Sequence, residues 1–228
     1  MRSFFVNRIT KIRQIILFIN ILLTTIVGLL WIKNKNIETI VDKYEERFVA
    51  ITFDDGPNRE TTTKLLDGLK ERDVVATFFV VGENINGNED LIKRMKDEGH
   101  TIGNHTYTHC DLTRVNEECA INEVEKNNEL IMSITGDKPI YIRPPFGSVE
   151  DKIFYIQDMM VVLWDIDPMD WNTTDENKIV KHILKNITPN DIILLHDIYE
   201  SSVNAGLRVI DELKKEGYVF VPIDFLTP

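Results

Sequence analysis

The hydrophobic and polar positions of the chain fall into three successive regimes. Ile15 to Ile32 runs without a charge, and at about 1.5 Å per residue a helix of about 18 residues approaches the thickness of a bilayer core. Arg2, Arg8, Lys11 and Arg13 precede it with no acid among them. That pattern predicts a transmembrane helix over 15–32, with residues 1–14 held on the cytoplasmic side and the rest of the chain outside. No small-x-small cleavage site follows the apolar run, since Trp31, Ile32, Lys33 and Asn34 stand there, so the segment reads as an uncleaved anchor rather than a signal peptide. Residues 33–45 are polar and charged with spaced Ile37, Ile40, Val41 and Tyr44, which predicts a short helical stem.

From residue 46 onward, short β-prone runs alternate with helical spacings. Strands are predicted at Arg47 to Phe53, Val74 to Val81, His100 to Ile102, Ile140 to Ile142, Val161 to Trp164, Ile192 to Leu195 and Val219 to Val221. Between them, Leu65, Leu66 and Leu69 recur at helical spacing, Leu91, Ile92 and Met95 share a face, and Val115 to Ser133 reads as a longer helix. Strand and helix in alternation predict an α/β domain over 46–228 with a mainly parallel sheet.

Composition narrows the partners. A chain of 228 residues with 43% hydrophobic content buries one sizeable core. The formal charge is −11, but residues 1–47 hold eight Lys/Arg against four Asp/Glu, net +4, leaving −15 for the remainder. So acidic a domain argues against nucleic acid as a partner. Two cysteines, Cys110 and Cys119, are too few for a disulfide framework and lack zinc or redox spacing.

The chemistry centres on Thr52-Phe53-Asp54-Asp55-Gly56-Pro57, where two carboxylates meet at the end of an apolar run. Adjacent carboxylates repel, and such a pair is stable when a cation takes one of them or one becomes protonated. Ligands for a cation stand at His105-Thr-Tyr-Thr-His109. Histidines four apart lie on one face of a helical turn, and with Asp55 they compose a two-His, one-carboxylate set with room for water.

These residues carry a resemblance. The Asp54-Asp55 turn, His105 to His109, Arg143-Pro-Pro-Phe-Gly147, Asp167-Pro-Met-Asp-Trp171 and Leu194-Leu-His196 resemble the five ordered motifs of the polysaccharide deacetylases, carbohydrate esterase family four, over about residues 46 to 228. The resemblance implies a small distorted (β/α)7 barrel with its chemistry at the carboxyl ends of the strands, here preceded by the N-terminal transmembrane helix. It implies Asp55, His105 and His109 as ligands of a divalent metal, zinc above all, with cobalt, manganese, nickel or iron also tolerated by such a set. It implies Asp54 as general base, Arg143 as its holder, His196 as general acid and Asp167, in preference to Asp170, as the carboxylate tuning that histidine. The main-chain N–H of Phe146, aimed by Pro144-Pro145, is implied as an oxyanion donor, although the family often has tyrosine there. Trp171, Leu194 and Pro145 are implied to shape the slot for an acetyl group.

The expected reaction is removal of N-acetyl groups from a β-linked amino-sugar polymer, with peptidoglycan N-acetylglucosamine foremost. Chitin-type glycans, poly-N-acetylglucosamine and O-acetylated xylan are alternatives within the same chemistry. A non-catalytic glycan-binding module is the alternative of another class; it would lack the base, the acid or a ligand, and all are present. Nothing in the sequence sets the oligomeric state.

Overall fold

The computed structural model describes residues 47–148 and 159–227, together with 23–28, 30, 31, 33 and 35. Two compact units emerge, Met1–Glu45 and Glu46–Pro228. In the first, the described residues are helical, with Leu23, Val27, Leu30 and Trp31 exposed. Among the described residues no helix is long and apolar enough to cross a membrane. Residues 1–22 of the expected cytoplasmic end and anchor, and nearly all of the expected stem, lie outside the described residues.

The second unit is built on one curled parallel sheet flanked by helices. Its strands are β1 (Arg47–Asp54), β2 (Thr77–Val80), β3 (Thr101–Asn104), β4 (Tyr141–Ile142), β5 (Met160–Val161), β6 (Ile192–His196) and β7 (Tyr218–Phe220). The order is β5-β4-β3-β2-β1-β6, and β7 pairs with the first half of β1. Every pairing is parallel. β1 thus pairs with three strands, β2, β6 and β7, and its residues Val49 to Asp54 are all buried. A strand covered on both faces reads as a continuous apolar run rather than an alternating one, which is why this strand was so legible.

The helices are α1 (Thr61–Glu71), α2 (Gly82–Ile85), α3 (Glu89–Asp97), α4 (Glu117–Thr135), α5 (Glu176–Asn186) and α6 (Glu200–Lys215). Each long one turns an apolar stripe to the sheet: Leu65, Leu66 and Leu69 from α1, Leu91, Ile92 and Met95 from α3, Val203, Val209, Ile210 and Leu213 from α6. Asn116 caps α4 by accepting from Cys119 N at 2.8 Å, and Gly136, at φ 82°, ends it in the left-handed conformation. Asp175 caps α5 in the same way as Asn116.

Several boundaries differ from expectation. The β-prone run Val74 to Val81 forms a strand only over Thr77–Val80, because its first residues carry the chain out of α1. The strand expected at Val161 to Trp164 is replaced by the two-residue β5, Met160–Val161, which shares only Val161 with it. Helices α5 and α6 were not read from the sequence, although Ile179, Val180 and Ile183 share a buried face in one and Val209, Ile210 and Leu213 in the other. The seven parallel strands agree with a β/α barrel, and a single bridge, Ile166 to Ile193, spans the side beyond β6.

Candidate active site

The carboxyl ends of β1, β3 and β6 converge on a cavity of about 500 Å³. Asp54 and Asp55 close β1, His105 follows β3 directly, and His196 is the last residue of β6. The chain leaves strand geometry at Asp55, whose φ is 74°, so the two neighbouring carboxylates both reach the cavity. Gly56 is required just beyond, since a Cβ there would lie 2.2 Å from Asp197 Oδ2.

Asp54 is 3% exposed and Arg143 is fully buried. Arg143 Nη1 donates to Asp54 Oδ1 at 2.7 Å and to Thr52 Oγ1 at 2.7 Å, while Nε and Nη2 donate to the carbonyls of Val162 and Leu163. The guanidinium lies between the Phe79 and Trp164 rings, 4.1 Å and 5.6 Å from their centroids. The charge-assisted bond from Nη1 fixes the orientation of the Asp54 carboxylate. Arg143 itself does not line the cavity.

Asp55, His105 and His109 form a cluster whose ligand atoms all lie within 4.8 Å of one another. Asp55 Oδ1 is 3.4 Å from His105 Nε2 and 3.2 Å from His109 Nε2. That oxygen is buried and accepts no hydrogen bond. His105 Nδ1 lies 2.5 Å from the Arg143 carbonyl oxygen, which can only accept, so Nδ1 carries the proton. In the neutral ring Nε2 then turns a lone pair toward a carboxylate oxygen, an arrangement that asks for a cation between them. The Nδ1 contact is also the kind of support that metal-binding histidines characteristically have. The residues present therefore fit a divalent ion.

The pair does not sit on a helical turn, contrary to the reading of the spacing. His105 ends the sheet, Thr106 and His109 adopt left-handed backbone at φ 65° and 59°, and the two rings converge from an irregular loop with centroids 5.0 Å apart.

Across the cavity His196 Nδ1 meets Asp170 Oδ1 at 2.9 Å, and the His196 amide donates to Asp170 Oδ2 at 2.9 Å. This corrects the choice of Asp167. Met169 takes a left-handed conformation that turns buried Asp170 inward, whereas Asp167 accepts from the Met169 amide and faces the cavity from a partly exposed position. Burial lowers the His196 pKa, but the hydrogen bond and charge of Asp170, with Asp54 and Asp55 behind it, raise it to about 9.

Phe146, Trp171 and Leu194 line the cavity. Phe146 is 68% exposed, at φ 63°, with its ring set edge-on to His109 at 4.9 Å. Pro145 does not reach the cavity, because it opens a tight turn with its ring in the interior; Pro144 lines it instead. Trp164 and Tyr199 also line it and were not anticipated. Asp197 was missed as well: it is wholly buried, accepts from Thr62 Oγ1 at 2.5 Å, and burial raises its pKa to about 7. Apart from its place beside His196, nothing in the sequence marked it. His100 is a structural residue, accepting the Ala76 amide on Nδ1, and burial lowers its pKa to about 4. Cys110 and Cys119 are both free thiols.

A parallel β/α fold with a two-His, one-carboxylate cluster beside a buried Arg–Asp pair and an opposing His–Asp pair defines a class of hydrolytic enzymes. Sequence comparison places the chain within it. The family model described as polysaccharide deacetylase matches residues 42–160. Over 187 residues the chain is 40% identical to a peptidoglycan-N-acetylglucosamine deacetylase of Bacillus cereus, which covers 79% of this chain and 68% of that protein. It is 36% identical over 181 residues to the peptidoglycan-N-acetylmuramic acid deacetylase PdaC of Bacillus subtilis, covering 79% of this chain but only 39% of that one. The solved structure of PdaC superposes with a TM-score of 0.78 at 36% identity, over 80% of this chain and 90% of that structure. The chain belongs to the polysaccharide deacetylase family, carbohydrate esterase family four.

Proposed function

We propose that this protein hydrolyses the N-acetyl group of N-acetylglucosamine in peptidoglycan. The observation that carries the reading is one cavity holding an Arg143-bound Asp54, the Asp55–His105–His109 cluster and the Asp170-bound His196. The choice of glycan is supported by relatives named for peptidoglycan, and the choice of sugar by identity: 40% to the Bacillus cereus protein named for N-acetylglucosamine, against 36% to PdaC and 34% to PdaA of Bacillus subtilis, both named for N-acetylmuramic acid.

Asp55, His105 and His109 would hold one divalent ion, taken here as zinc, which supplies polarisation of the acyl carbonyl and a lowered pKa for water. The remaining work falls to the chain. Asp54, held in place by Arg143, takes the proton of the attacking water. The main-chain N–H of Phe146, a residue lining the cavity, would donate to the oxygen on which negative charge develops. His196, its pKa raised by Asp170, gives its proton to the departing sugar amine, and Asp170 stabilises the imidazolium and fixes the ring. Trp171 and Leu194 pack the acetyl methyl.

The same reading places the domain outside the cytoplasmic membrane, tethered by the uncharged run Ile15 to Ile32, with the basic N-terminus inside. Protease treatment of whole cells should then degrade the domain, and survival of the domain would overturn the placement.

The test of activity is acetate release from purified peptidoglycan by the full-length chain, before and after chelation and zinc re-addition, with Asp54→Asn as blank. Acetate that requires both metal and Asp54 is the expected result. Release unaffected by chelation would overturn the metal-dependent mechanism, and no release with metal bound would overturn the substrate.

A further inference from the structure

The loop carrying both histidines is short, irregular and conformationally costly, with two non-glycine residues at positive φ, Thr106 at 65° and His109 at 59°. Such backbone persists only where its surroundings over-determine it. The loop is held by its neighbours: the Thr106 and Tyr107 carbonyls accept from the Gly82 and Glu83 amides of α2 at 3.1 Å and 2.8 Å, and side chains hold four further contacts. The Thr106 amide donates to Asn104 Oδ1 at 2.7 Å. The Tyr107 and Thr108 amides both donate to one oxygen of Glu123, Oε2, at 3.1 Å and 2.8 Å. The Thr106 carbonyl accepts from Asn127 Nδ2 at 2.9 Å.

Glu123 and Asn127 stand one turn apart on α4, so they face the loop together. Both are buried, Glu123 at 8% and Asn127 at 0% exposure, among Val124 and Ile131, where an apolar stripe alone would serve packing. Asn127 also donates to the Val80 carbonyl and to Asn104 Oδ1, and Asn104 in turn donates to Asn128 Oδ1 and the Val124 carbonyl. The polar face of α4 thus reaches from the ends of β2 and β3 to the middle of the loop. Two consecutive amides pointing at one buried carboxylate oxygen orient the peptide between the histidines, and with it the direction from which His109 approaches Asp55.

We infer that Glu123, seconded by Asn127, is a positioning residue for the metal ligands: it holds His105 and His109 at binding separation before any metal arrives. The inference rests on the reading of Asp55, His105 and His109 as a metal site. Partners of ligating side chains are typically worth about 10–100-fold in metal affinity.

The experiment is zinc binding to the full-length chain by chelator competition, in the wild type, His109→Ala, Glu123→Ala and Glu123→Gln. Wild-type binding that is lost in His109→Ala establishes the site; absence of wild-type binding overturns the site reading itself. With the site established, Glu123→Ala should bind zinc about 10–100-fold more weakly. Glu123→Gln should stay close to wild type, since its amide oxygen can accept both amides. Glu123→Ala binding zinc as wild type does, with its melting temperature lowered, would show a merely structural role and overturn the inference. Should Glu123→Ala fail to fold, amide hydrogen exchange in the metal-free wild type decides. Slow exchange at Tyr107 and Thr108 is expected, and exchange at the rate of open chain would overturn it.

Discussion

The two walls of the cavity solve the problem of buried charge in different ways. On the β6 wall His196 needs no outside partner: Asp170 satisfies both its ring and its amide. On the β1 and β3 wall the buried charge is only half compensated. Arg143 neutralises Asp54, while Asp55 keeps a buried oxygen with no hydrogen bond and two imidazoles turned toward it. The difference teaches which wall is built for a proton and which for a cation. A self-contained pair retunes a pKa, whereas an incomplete cluster of acceptors creates affinity for something from solution.

The largest effect should come from Asp54→Asn, which leaves the Asp55 cluster in place and removes the base. Deacetylation should fall by about 10²–10⁴-fold, while zinc content measured on the purified protein stays at wild type. Near-normal turnover would take the base away from Asp54. Next comes Arg143→Ala, which leaves the Asp54 charge buried and alone. A stability loss of about 3–5 kcal/mol is expected in urea unfolding, and a loss within the scatter of surface substitutions would show that the pair is not held as described.

Asp170→Asn sharpens the other wall. The His196 pKa, raised to about 9, should move down toward the ordinary 6.5, so the alkaline limb of kcat/KM should shift to lower pH by up to about two units. The sign for stability follows. The His196 pair contributes in full below pH 6.5 and loses that contribution as pH rises through about 9, and the variant should lack this dependence. An unmoved alkaline limb would break the pairing. The smallest effect expected is for Gly56→Ala, whose Cβ would press on the buried Asp197 carboxyl. Overpacking of this sort costs about 1–3 kcal/mol, readable as a lower melting temperature with the metal affinity little changed.

Much of the site was legible because its residues lie at strand ends. An apolar strand that stops on Asp54-Asp55 or on His196 announces both where the strand ends and that a charged group sits in its mouth. What was not legible are the partners contributed by distant elements. Asp167 and Asp170 share one short segment, and only the left-handed backbone at Met169 decides which faces His196. Spacing suggested a helical turn for His105 and His109, but tertiary hydrogen bonds to α4 override that local preference. Glu123 and Asn127 did leave a trace, as polar residues on the buried side of a helix that also presents Val124 and Ile131.

By itself the sequence determined the α/β class, the parallel sheet and the identity of the cluster Asp55, His105 and His109. These follow from local periodicity and from residue types whose chemistry does not depend on their surroundings. Tertiary structure alone decided that Asp170 rather than Asp167 serves His196, that Pro144 rather than Pro145 meets the cavity, and that Asp197 and Glu123 lie buried behind the site. The reason is directional: a hydrogen bond or a cavity wall depends on where a side chain points, and that is set by backbone angles and neighbours far away in the chain.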